Sequence, residues 1–240
     1  MAADDSTDLS KPENIKRLTR LSLYETIIYC DDSGSMRGSR WDIQKKLVTR
    51  IARIATRIVP EDAAGVQLHF INAPSPSTLL KDATELEQAM DKVQPNYGTN
   101  IGTNLRSKIL EPVYNCILKA TPSDPIPLKR PILVCTITDG SPGPENTNTL
   151  ENMIVECKKK LTEAGYDPTA VMFCVSQLGN DEKAAQFLDG LRSNPRLKEV
   201  LYITADRLDE KFQDLAVNER QLDSWLLHLL TKPIMEGMEM

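Results

Sequence analysis

Three apolar runs constrain the chain more than anything else in it: Ile27-Ile28-Tyr29-Cys30, Pro131 to Thr138 (PILVCTIT) and Thr169 to Leu178 (TAVMFCVSQL). None alternates polar with apolar positions. Such runs are strands buried on both faces, and that burial is the condition of a parallel sheet covered by helices on each side. Gly65 to Ile71 and Val200 to Thr204 read as further, shorter strands. Helical periodicity fills the intervals. Trp41 to Val59 repeats Ile43, Leu47, Ile51, Ile54 and Ile58 at helical spacing, with Pro60 just beyond. Asp82 to Val93, Ile101 to Lys119, Asn146 to Gly165, Asp181 to Arg192 and Asp209 to Leu230 read the same way. Strand and helix in alternation predict right-handed crossovers, hence a doubly wound, mostly parallel α/β sheet flanked by helices on both faces. Asn72 to Leu80, with Pro74 and Pro76, predicts a loop holding at most a very short edge strand near Thr78 to Leu80. Thr121 to Pro131 carries four prolines and predicts a surface loop.

At 240 residues the chain has room for one full domain of this kind. We place it at 21–232, after a mobile N-terminal tail and lead-in (1–20, with a helical or turn-like stretch around Ile15 to Leu21) and before a C-terminal tail (233–240). The net charge of -5 and pI near 5.2 come with no basic stripe interleaved with aromatics, which argues against a nucleic-acid partner. No apolar stretch approaches the roughly 20 residues that span a bilayer. The acidic start MAADDSTDLSKPEN lacks a secretory leader. The five cysteines are widely spaced in apolar runs without a C-x-x-C pair, as suits reduced thiols packed as small hydrophobes. These features lead to the expectation of an intracellular, cytoplasmic protein.

Candidate chemistry concentrates where three strand-to-helix passages end in oxygen-rich turns. Asp31, Ser33 and Ser35 stand at i, i+2 and i+4, a spacing that points their side chains to one side of an extended segment. Counting from Asp32 instead gives Gly34 and Met36, which offer no side-chain oxygen. Thr99 opens the helix after Tyr97-Gly98, and Asp139 follows the strongest buried run. Each alone is an ordinary helix cap or turn residue. Together they supply five oxygens, two of them carboxylate-borne, the set a hard divalent cation takes; Mg²⁺ fits, with Mn²⁺ or Ca²⁺ as alternatives.

The segments IIYCDDSGSM, YGTNIGTNL and ILVCTITDG resemble the three parts of the metal-ion-dependent adhesion site (MIDAS) of von Willebrand factor type A (VWA) domains. By that resemblance Asp31, Ser33, Ser35, Thr99 and Asp139 are the metal ligands. The similarity runs from about Tyr24 to Thr204, and the size and composition resemble stand-alone intracellular members such as those of fungi. The resemblance implies a Rossmann-like fold. It also implies a non-enzymatic protein-interaction module in which the bound ion is completed by an acidic residue of a protein partner. Two features differ from the family: the antiparallel edge strand is poorly marked, and two extra helical stretches lie beyond Asp206, where a typical member has one C-terminal helix.

Two enzymatic readings compete. Ser33 or Ser35, Asp139 and His228 follow the chain order of an α/β-hydrolase triad, but no G-x-S-x-G elbow is present. A phosphatase of the haloacid dehalogenase type needs aspartates at i and i+2, whereas Asp31 is followed two positions on by Ser33. Nucleotide-binding glycine motifs are absent as well.

Overall fold

The computed structural model describes residues 9–59, 65–121, 123, 126–140, 142–215 and 217–236. Of the two expected tails, residues 1–8 and 237–240 fall outside those residues, as do Pro60 and Ser141, whereas 12–20 and 233–236 are helical. Among the described residues five strands form one sheet: β1 Glu25–Cys30, β2 Gln67–Phe70, β3 Ile132–Thr138, β4 Val171–Gln177 and β5 Leu201–Ile203. Their order is β2-β1-β3-β4-β5, and every pairing is parallel. β3 and β4 are buried along their full length, as their unbroken apolar sequences require. β2 is an edge and alternates half-buried with buried positions, as its alternating sequence predicts.

The helices are α1 Pro12–Leu21, α2 Ser39–Ala55, α3 Ala83–Asp91, α4 Ile101–Leu105, α5 Glu111–Ile117, α6 Thr149–Glu163, α7 Glu182–Arg192, α8 Leu208–Leu215 and α9 Glu219–Glu236. Their starts follow from local chemistry. Asp82 accepts the Glu85 N–H at 2.9 Å while Glu85 returns a carboxylate oxygen to the Lys81 N–H at 2.7 Å, so two otherwise unpaired backbone donors at the start of α3 are satisfied. Asp181 caps α7 in the same way through the Ala184 N–H.

Several boundaries differ from the sequence expectation for physical reasons. The expected helix from Ile101 to Lys119 is a single run interrupted by a π-turn at Arg106–Leu110. The side chain of Lys108, inside that turn, donates to the carbonyls of Phe70 and Ala73 at 2.6 and 2.8 Å, fastening the helix to the end of β2. The edge strand reduces to one antiparallel pairing, Val66 with Leu80, because Pro74 and Pro76 interrupt the returning segment. The lead-in is a helix from Pro12, with Leu18 and Leu21 buried, that packs against α9. Arg17 hydrogen-bonds Thr231 there at 3.2 Å. α9 is further held by Asp223, which takes Arg50 and Arg53 of α2, each at 2.8 Å.

Topology fixes where a site can form. From β1 the chain winds outward to β2, then crosses back to β3 on the other side of β1. The crevice beyond the C-terminal ends of β1 and β3 is therefore the switch point of the sheet, the place where open α/β sheets leave room for a ligand.

Candidate metal centre

β1 delivers Asp31 and Asp32 to that crevice, and β3 delivers Thr138 and Asp139. All four are buried: Asp31 is 0% and Asp139 1% exposed. Pairing in register along β1 and β3, closed by the Asp31 N–H donating to the Ile137 carbonyl at 2.9 Å, sets the two acidic turns side by side. After Asp31 the chain leaves the strand through a 3-10 turn, Gly34–Met36, so Ser33 and Ser35 stay at the mouth of the crevice.

Three side-chain oxygens form a continuous chain there. Ser33 Oγ lies 3.0 Å from Ser35 Oγ, and Ser35 Oγ donates to Asp139 Oδ1 at 2.8 Å. Oxygens around an octahedral Mg²⁺, each at about 2.1 Å from the ion, are separated by about 3 Å along each edge. These are hydrogen-bond distances, and they match the spacing of adjacent ligands as well. Asp31 lies behind them: one carboxylate oxygen accepts the Ser33 N–H at 2.8 Å and the other the Thr138 hydroxyl at 2.6 Å. Burial pushes the Asp31 carboxyl up to about 6, and the Asp139 charge adds to that rise, while the Thr138 and Ser33 hydrogen bonds oppose it. Two buried carboxylates whose charges act on each other favour a cation nearby.

Thr99 joins through the backbone. Its N–H donates to the Gly143 carbonyl and its carbonyl accepts the Gly143 N–H, a pairing that locks the second loop onto the one that follows Asp139. The second loop is also tied to the first, since Gly34 N–H donates to the Tyr97 carbonyl at 3.0 Å and Asn96 N–H to the Asp32 carbonyl at 2.8 Å. Gly98 is needed for this fit: a Cβ there would lie 2.3 Å from the Gly143 oxygen. Tyr97 stands on the rim, 78% exposed, with a positive φ of 67° that side chains other than glycine adopt at a cost.

Of the five residues singled out from the sequence, Ser33, Ser35 and Asp139 are joined by side-chain hydrogen bonds and Asp31 accepts the Ser33 N–H, while Thr99 is tied by its backbone to Gly143, in the loop after Asp139. Among the described residues there is no cluster of three or more His, Cys, Asp or Glu side chains, so any cation here rests on a mixed carboxylate and hydroxyl set. Sequence reasoning passed over several supporting residues. Thr138 orients Asp31, and Gln44 donates to the Asp31 carbonyl at 3.0 Å from a fully buried position on α2. Arg40, one turn earlier on α2, pairs with Asp139 Oδ2 at 2.5 Å. Glu145 accepts the N–H groups of Gly102 and Thr103 at the start of α4. Polar Gln44 on a face otherwise formed by Trp41, Leu47 and Val48 is the one signal that could have been read.

The competing triad does not assemble. His228 sits on α9 as an exposed residue between buried Leu227 and Leu229, and the side-chain oxygens of Ser33, Ser35 and Asp139 bond to one another and, through Asp139, to Arg40.

No protein-family model matches the chain, and no curated protein matches it in sequence. Solved structures do match in shape. Proximal thread matrix protein 1 from the mussel byssus superimposes with a TM-score of 0.53 at 15% identity, over 88% of this chain and 48% of the mussel protein. A second structure of that protein, with a zinc-occupied MIDAS motif, gives 0.51 at 14% identity over the same shares of the two chains. This chain therefore spans about half the length of the mussel protein. The all-parallel five-stranded sheet flanked by helices, the position of its switch point and these superpositions give the chain the Rossmann-like α/β fold of VWA domains.

Proposed function

We propose that the chain is a non-enzymatic, divalent-metal-dependent protein-interaction module whose ion, Mg²⁺ or a similar cation, is held by Asp31, Ser33, Ser35, Thr99 and Asp139. The observation that carries this reading is the convergence of the Ser33, Ser35 and Asp139 side-chain oxygens at the sheet's switch point, over a buried second carboxylate. The zinc-occupied motif of the mussel protein supports it by analogy of fold.

When bound, the ion supplies a Lewis-acidic position open to an incoming oxygen ligand. The protein's own residues do the rest. Asp31 and Asp139 balance the ion's charge, Thr138 and the Ser33 N–H keep Asp31 oriented, and the serine hydroxyls offer neutral oxygens. Because these two carboxylates already offset the divalent charge, a carboxylate of a partner protein would be drawn by the open coordination position, with the nearby Arg40 guanidinium adding positive charge. An acidic residue on a protruding segment fits such a site, and an intracellular protein is the partner we infer. Among the described residues no helix is long and apolar enough to cross a membrane.

Thermal melting with and without MgCl₂ or MnCl₂ tests the metal, and affinity capture with and without EDTA tests the interaction. The wild-type chain is expected to gain several degrees in metal through selective binding to the folded state, and Asp31→Asn is expected to lose that gain. Captured proteins that depend on both metal and Asp31 would support the full reading. Identical captures in all conditions would reject it.

A further inference from the structure

The candidate centre already contains a cation of its own. Arg40 Nη1 lies 2.5 Å from Asp139 Oδ2 and 3.3 Å from the Ser35 carbonyl, so one oxygen of Asp139 faces Ser35 and the other a guanidinium. This is a built contact. The Asp139 side chain is fully buried, the Arg40 side chain is only about one-third exposed, and the guanidinium lies against Gly179 at the end of β4. A Cβ at Gly179 would come within 3.0 Å of Arg40 Nε. Gly179 has a φ of +87°, and its N–H is held by Asp209 Oδ1 at 2.9 Å, which keeps the bare backbone turned toward the arginine.

We propose that Arg40 is an internal competitor for the metal, an affinity-setting residue that holds Asp139 by charge and must yield some of that contact to a divalent ion. The inference rests on the metal reading of the site given above. An ion bound by Ser35 and Asp139 sits within a few ångströms of the guanidinium, and like charges at that distance in a poorly solvated crevice repel. Asp139 also cannot give its full charge to two cations at once. Arg40 therefore weakens the site for metal while stabilising the metal-free fold. A purely positioning role, in which Arg40 presents Asp139 to the ion, predicts the opposite sign.

Titration calorimetry with MnCl₂ and MgCl₂, paired with thermal melts in EDTA and in saturating metal, separates these roles in the wild-type chain and in Arg40→Met, Arg40→Gln and Arg40→Lys. Both uncharged variants are expected to bind metal about tenfold more tightly than wild type or better. Both should melt lower than wild type in EDTA and recover or exceed it in metal, while Arg40→Lys stays close to wild type. Glutamine keeps a hydrogen-bond donor for Asp139, so it preserves the test if the methionine variant does not fold. Unchanged or weaker metal binding in the uncharged variants, or an equal loss of melting temperature with and without metal, overturns the competition. No heat and no melting shift in wild type and variants alike overturns the metal reading itself, and the inference with it.

Discussion

Asp31 and Asp32 are consecutive, yet their buried carboxylates serve different loops. Asp31 accepts the Ser33 N–H and the Thr138 hydroxyl, whereas Asp32 accepts the N–H groups of Asn72 and Ala73, both at 2.7 Å. Alternation along the chain turns one toward the crevice between β1 and β3 and the other toward the end of β2.

Their substitutions should therefore separate stability from metal binding. Asp32→Ala leaves two backbone donors without their acceptor and is expected to cost about 2–3 kcal/mol in urea unfolding, with the metal-induced melting shift intact in the folded protein. Asp31→Asn keeps the side-chain shape and should change metal-free stability by no more than about 1 kcal/mol, with the metal shift gone. The reverse pattern would mean that Asp32 is the ligand.

Gly98 should be irreplaceable for a steric reason. A methyl group at 98 collides with the Gly143 carbonyl and lies 2.9 Å from Pro144 Cδ, so the Thr99 loop must move away from the Asp139 loop. Gly98→Ala is expected to cost about 1–3 kcal/mol and to weaken metal binding together with stability. Gly140→Ala, where a Cβ meets nothing within 4 Å, should be close to neutral. Calorimetric metal titration and denaturant melts of the two variants check the contrast.

The pH dependence of stability should carry a histidine signature. Burial lowers the His69 pKa to about 4, with the nearby Lys108 charge adding to the effect, so the folded state resists a proton that the unfolded chain accepts near 6.5. His69 thus contributes stability that is full above pH 6.5 and lost as pH falls toward 4. Asp31, raised to about 6, acts with the opposite sign, gaining stability as pH falls from 6 toward its unfolded value. Comparing wild type with His69→Gln isolates the histidine: in metal-free buffer, wild type should lose ground to the variant between pH 6.5 and 4. A pH-independent difference would show that His69 does not titrate as its burial requires.

The sheet was legible because burial on both faces writes itself into composition. The β3 and β4 runs have no polar alternation, and the structure buries them along their whole length. The site was legible in part because its oxygens cluster at fixed spacing after such runs. Arg40 and Glu145 were not, because a charged residue at the start of a helix, or one in a loop, reads as solvated until a distant partner is placed beside it. The π-turn at Arg106–Leu110 was hidden for a related reason: its Lys108 contacts lie 35 and 38 residues away in sequence, and helical periodicity does not register them.

Local chemistry alone determined which segments are strands and that they pair in parallel under helices, and it pointed to the oxygen-bearing turns after β1 and β3. Only the tertiary structure decided that Thr99 enters through a backbone pairing with Gly143, that Asp32 serves the end of β2, and that Asp139 is shared with Arg40. Periodicity and spacing act within one segment and survive in the sequence. The apportioning of a carboxylate between a hydroxyl and a guanidinium depends on crossovers that bring residues about a hundred positions apart, Ser35 and Arg40 against Asp139, into one crevice.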